Sequence, residues 1–107
     1  MAIVPYMVAV LIYYSKVRLV HGKAETVAIA EAKAWKVPVS KDYPEGIKYS
    51  LFLVAQDTGE ILLGFDNHKP KGHHVHRHGR EESHEFSDVD CLVEEFWDLV
   101  KKEGFQI

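Results

Sequence analysis

Five of the seven histidines in this chain of 107 residues lie between His68 and His78. They are His68, His73, His74, His76 and His78, within Asp66-Asn67-His68-Lys69-Pro70-Lys71-Gly72-His73-His74-Val75-His76-Arg77-His78-Gly79-Arg80. Core packing does not call for this composition, and a cluster so far inside the sequence is not an expression tag. Two chemistries fit. If His74, His76 and His78 lie on a strand, period-two geometry puts them on one face. Neighbouring imidazoles there can chelate zinc or another divalent transition metal, and the fullest ligand set is Asp66, His68, His74 and His76. The second chemistry is metal-free cleavage of a phosphodiester. It needs a base for the 2′-hydroxyl proton, an acid for the leaving oxygen, and cations for the developing phosphate charge. Imidazole as a side-chain type titrates near neutral pH, which suits His74 and His76 to the parts of base and acid, and Lys71, Arg77 and Arg80 can be the cations. A shallow basic site flanked by aromatics suits single-stranded RNA better than duplex DNA.

Charge is distributed in blocks around that segment. Residues 1–67 balance seven Lys/Arg against seven Asp/Glu; residues 68–80 carry four cations and no acid; residues 81–107 carry nine acids and two lysines. A duplex-DNA binder is usually basic overall, whereas this chain has a net charge of −3. The acidic side chains Glu94, Glu95 and Asp98 read as a solvated helix face or one that meets a basic partner. The other two histidines, His21 and His84, read as structural or solvated. Cys91 is the only cysteine, so the composition suits a reducing compartment and a fold held by packing.

The elements that must position the cluster are those of one small domain, residues 1–107, of the α+β class. Val8–Val20 and Glu25–Val37 are β-prone runs joined by His21-Gly22-Lys23-Ala24, the pattern of a hairpin. The alanines between Ala28 and Ala34 leave a short helix as an alternative there. A second hairpin, Ile47–Ala55 and Glu60–Asn67, turns at Asp57-Thr58-Gly59. Residues 68–80 read as loop or irregular strand, and Glu82–Phe86 as a short last strand. A helix follows, capped by Ser87 with Asp90 completing a capping box; Val89, Leu92, Val93, Phe96 and Val100 form its buried stripe. The expected architecture is an antiparallel sheet of two hairpins, four to five strands, with a C-terminal amphipathic helix packed on one face. Trp35, Phe52, Phe65, Phe96 and Trp97 read as core. The apolar stretch Ala2–Tyr14 falls short of the ~20 residues of a spanning helix. It lacks the basic start and cleavage site of a signal peptide and reads as a buried strand. No membrane association is expected.

Several stretches, in order, resemble the TumE-type toxins of prokaryotic toxin–antitoxin pairs. Ala34-Trp35-Lys36-Val37-Pro38 resembles that family's "IWRVP" run and Ile47-Lys48-Tyr49-Ser50-Leu51 its "YKYSL" strand. Phe65-Asp66-Asn67-His68, Lys71-Gly72-His73-His74 and His76 resemble "YDNH…KGHHRH", and Arg80-Glu81-Glu82 with Glu85-Phe86 resemble "REEPYEF". Val75 departs from the family's arginine, and Ser83-His84 from its Pro-Tyr. The likeness runs from about residue 11 to 103, and by it Met7 is a candidate start. It implies a cytoplasmic toxin with a cognate antitoxin encoded nearby, acting on single-stranded RNA. The resulting expectation is a metal-independent ribonuclease, with no cofactor. His74, His76, Asp66 and Arg80 would be catalytic, with Asp66 orienting an imidazole; Lys71, Asn67 and Arg77 would bind substrate. The alternatives are a metal-binding protein or metal-dependent nuclease on the four-residue set above, and an interaction module without catalysis. A homodimer is compatible with each.

Overall fold

The computed structural model describes residues 8–69 and 71–107. The first residues of the apolar start, and with them Met7, lie outside the described residues.

Among the described residues six strands follow one another: β1 Val10–Val20, β2 Val27–Lys36, β3 Ile47–Ala55, β4 Ile61–Asp66, β5 His74–Arg77 and β6 Arg80–Ser83. They form one antiparallel sheet in the order β1-β2-β3-β4-β5-β6, so each strand pairs with its sequence neighbours. The helix α1, Val89–Lys102, comes after them. The architecture is α+β as expected, but with six strands rather than four or five. The additional pairing is β5 with β6, across the segment that reads as loop in the sequence. Its turn is His78-Gly79, both with positive φ (51° and 75°), which is the backbone of a two-residue hairpin turn. Histidine is among the few non-glycine types enriched in the left-handed region, so a His-Gly pair can do the work of Asn-Gly. The last strand consequently ends at Ser83, not at Phe86.

Alternation along the strands decides what faces α1. Ala28, Ala30, Ala32 and Ala34 on β2 are all fully buried, as are Leu51 and Leu53 on β3 and Leu63 and Phe65 on β4. They form one cluster with Leu92, Phe96 and Val100 of the helix. The alanines thus belong to a strand, not a helix; each occupies an inward position of the period-two pattern. Trp35 and Phe52 have the opposite parity. They stand half-buried on the face away from α1, which corrects their assignment to the core. The apolar start is corrected as well. Val8, Val10, Leu11, Ile12 and Tyr14 are each 46–54% exposed, because β1 is an edge strand with one neighbour.

The helix begins one residue later than expected. Asp88, not Ser87, is the cap, and its carboxylate accepts the Cys91 backbone N–H at 2.8 Å. Asp90 in the first turn and Lys101 and Lys102 in the last complement the helix dipole. After α1 the chain is tied back to the first hairpin, with Gly22 N–H donating to Gly104 O and Gln106 N–H to Val20 O. His21 is structural there. Its Nδ1 accepts from the Lys23 and Ala24 backbone amides, and its ring meets Phe105 edge-on.

Candidate functional site

The register of three strands builds the site. Asp66 at the end of β4 pairs with Ser50 on β3 and His74 on β5, and Gly64 pairs with Phe52 and His76. Asp66, His74 and His76 therefore point to the same side of the sheet, the side away from α1. His74 Nε2 lies 2.8 Å from Asp66 Oδ1 and His76 Nε2 3.5 Å from Asp66 Oδ2. The two imidazoles sit edge to face with centroids 4.7 Å apart. One ligand-type atom from each of these three residues falls within 4.8 Å of the others.

His74 is the most constrained of the three, at 6% exposure. Its Nδ1 is 2.7 Å from the Gly72 carbonyl oxygen, which can only accept, so Nδ1 carries a proton. Its Nε2 then faces a carboxylate. A second proton there, giving an imidazolium, satisfies that contact, and so does a cation shared with Asp66. His76 is 28% exposed on its side chain, with Nδ1 3.9 Å from Glu81 Oε2, and is the accessible member. Lys71 closes one rim by a bidentate contact to Glu81 at 2.6 and 2.8 Å. That bond holds the Glu81 carboxyl below its ordinary range. The cleft over these groups has a volume of about 340 Å³ and is lined by Asp66, His68, Lys69, Lys71, His74 and His76.

The structure separates other residues that the sequence groups with this site. Arg77 and Arg80 pair with each other and share the parity of Val75 and Glu82, so they are on the α1 side. There they line a different cleft of about 480 Å³ with Phe65, Glu95 and Leu99. Arg77 Nη2 lies 3.6 Å from Glu103, and His78 Nε2 3.1 Å from the same carboxylate. The carboxylate just after α1 therefore meets part of the basic segment within the molecule. His78, being on the turn, does not extend the His74–His76 face. Asn67 is 2% exposed; it accepts the Tyr49 N–H at 2.9 Å and donates to the Ile47 carbonyl at 2.8 Å. Those bonds tie the end of β4 to the start of β3 and use both ends of the side-chain amide. His68 is exposed on the cleft rim, its backbone N–H donating to Asp66 Oδ1 at 3.2 Å.

A second relay, missed in the sequence, flanks the site. The Tyr49 hydroxyl is 2.8 Å from His73 Nδ1, and His73 Nε2 is 3.0 Å from Glu45. Burial first, then the negative charge of Asp66, holds the Tyr49 phenol above its ordinary range. It remains a proton donor to His73, which in turn donates to Glu45. The rings of His73, Tyr49 and Phe86 lie near-parallel with all three pairs of centroids 4.9–5.6 Å apart. The relay anchors His73 against the loop before β3. The signal for it lay in the Tyr49 position of a strand already identified, but nothing in the spacing tied Tyr49 to a histidine 24 residues on. His84 is a supporting residue too: it packs edge-on against Phe65 and reaches Glu95 at 3.2 Å.

No helix among the described residues is long and apolar enough to cross a membrane. Comparison with curated proteins and with solved structures finds no match. The family model described as Toxin TumE matches residues 10–103. That span contains all six strands, the helix and every residue of the cluster, and the chain belongs to the Toxin TumE family.

Proposed function

We propose that this toxin, whose family implies an antitoxin partner, arrests growth by cleaving RNA at Asp66, His74 and His76 without a bound metal. The observation that carries the reading is the pair of imidazoles on one carboxylate, one locked and one accessible. His76 takes the proton of a 2′-hydroxyl; the 2′-oxygen attacks phosphorus to close a 2′,3′-cyclic phosphate. The bond to the 5′-oxygen breaks, and protonated His74 supplies the proton that oxygen needs from Nε2, whose N–H leaves Asp66 Oδ1 for the departing oxygen. Asp66 orients His74 and stabilises its charged form, and Lys71 offsets charge on the phosphoryl oxygens. Arg80 and Arg77 have no part in this assignment, because they lie across the sheet.

The test is cleavage of bulk RNA by the untagged chain in excess chelator, alongside growth after induction with and without the adjacent gene. Activity is expected to survive the chelator and fall by about 10²–10⁴-fold in His76→Ala. Intact RNA on several substrates would end the ribonuclease reading.

A second reading has its own observation. The three donor atoms converge within 4.8 Å, and the Gly72 carbonyl fixes the His74 ring as outer partners fix metal-binding histidines. Asp66, His74 and His76 would then hold a zinc-type ion with one position left open. Stoichiometric metal in protein purified without a metal-affinity column, with activity lost to the chelator, would favour it over the first.

A further inference from the structure

The sheet face that carries the cluster extends well beyond it, across β3, β2 and β1, and its composition differs from the rest of the molecule. On those three strands it presents the cations Lys16, Arg18, Lys33 and Lys48 against one acid, Glu31, in a chain whose net charge is −3. Glu31 is already engaged, by the Tyr14 hydroxyl at 3.1 Å and by Lys33 at 3.7 Å. Trp35 lies between two of the cations, with the ammonium groups of Lys33 and Lys48 5.8 and 6.0 Å from its ring. Phe52 lies beside the cluster, its ring centroid 5.8 Å from that of His76. It occupies the space over Gly64 that any side chain there would need. The absence of a Cβ at residue 64 is what lets an aromatic ring lie down next to the histidine.

Strand register arranges these groups as rows that run into the site. Tyr14, Lys33, Ser50, Asp66 and His74 are successive partners across five strands; Lys16, Glu31, Phe52, Gly64 and His76 are the next row. Trp35 and Lys48 pair in the row beyond Lys33. Three inter-strand steps of about 4.8 Å place Lys33 about 14 Å from His74. Over a comparable width, the open sheet of an RNA-recognition domain stacks about two or three bases.

We propose that this open face is a track for single-stranded RNA: Trp35 and Phe52 stack bases, Lys33 and Lys48 hold phosphates, and the strand is led to Asp66, His74 and His76. The inference rests on the ribonuclease reading for its endpoint, while the binding surface stands on its own charge and aromatic pattern. An unpaired strand fits because its bases are free to lie on aromatic rings, whereas a duplex hides them.

Binding is measured with the full-length His76→Ala chain, which separates it from cleavage, using a labelled single-stranded RNA of about ten nucleotides. Trp35→Ala is expected to weaken binding about tenfold. Lys33→Glu with Lys48→Glu is expected to weaken it further and flatten its salt dependence by about 0.7 in slope per lysine. Lys101→Ala, on the helix, serves as the control and leaves binding unchanged, and thermal unfolding of each variant verifies that it folds. RNA bound equally well by the Trp35 and lysine variants overturns the track, as does a duplex bound as tightly as the single strand. So does a result in which those variants keep RNA binding and lose only neutralisation by the antitoxin, because the face then belongs to that partner. RNA held on the face but left uncut by the wild-type chain would overturn the endpoint and leave the track standing.

Discussion

On the side of the sheet covered by α1, the strands place Leu51, Leu53, Leu63 and Phe65, all fully buried, against Phe96 and Val100. One residue along from Leu51, Leu63 and Phe65, the same strands place Phe52, Gly64 and Asp66 on the opposite side, where His76 of β5 joins them, most of them half-buried and with no layer above them among the described residues. One face packs its central strands with apolar side chains against α1 and carries charge only toward the β5–β6 end, at Arg77, Arg80 and Glu82. The other is charged and aromatic and holds its polar groups by mutual contacts. The lesson is that period-two alternation divides the packed core from the polar cluster at single-residue resolution. The exception proves informative: His74 is on the open side yet 6% exposed, because Asp66 and the Gly72 carbonyl enclose it.

The sharpest way to break this division is to cut into each face. Phe96→Ala should cost about 3–5 kcal/mol in urea unfolding. His76→Ala should stay within about 1 kcal/mol of the wild type and lose RNA cleavage. Equal destabilisation by the two would show that the faces are not energetically separate. Gly64→Val comes next, since its side chain must displace the Phe52 ring. A loss of about 1–3 kcal/mol is expected, with a disproportionate fall in cleavage if Phe52 works beside His76. Arg77→Ala and Arg80→Ala test the assignment of residues to sides. Both should cleave RNA at the wild-type rate, and a hundredfold loss in either would place the α1-side cleft in the chemistry.

The smallest expected effect concerns acid stability. The hydrogen bond from the Cys91 amide holds the Asp88 carboxyl below its ordinary range. A group depressed in this way contributes fully above its unfolded value, about 3.9, and loses that contribution as pH falls through the folded one. Asp88→Asn keeps a good cap without a titrating group. Thermal unfolding followed from pH ~6 to pH ~2 should therefore fall less steeply in the variant than in the wild type.

Much of this was legible in the sequence where residue type and period agree. The second hairpin, the helix stripe through Leu92, Phe96 and Val100, and the location of the cluster all fall in that class. Three things were not. A hairpin turn at His78-Gly79 uses an uncommon residue in the left-handed region, so the strand pair it joins reads as loop, and Arg80 then reads as a neighbour of the histidines. Alanine is too small to mark a core by itself, so the inward parity of Ala28–Ala34 is hidden and the large rings of Trp35 and Phe52 read as core in its place. Ser87 and Asp88 are both good caps by type, and only geometry shows which one reaches the Cys91 amide.

The strictly sequential order of the strands has a consequence in time. Every strand pairs with the one made just before it, so each hairpin can close across a short loop as soon as its second strand exists. The helix that seals the apolar face is made after all six strands. Until α1 is made, Leu51, Leu53 and Phe65 have no apolar cover, and its docking closes the core last.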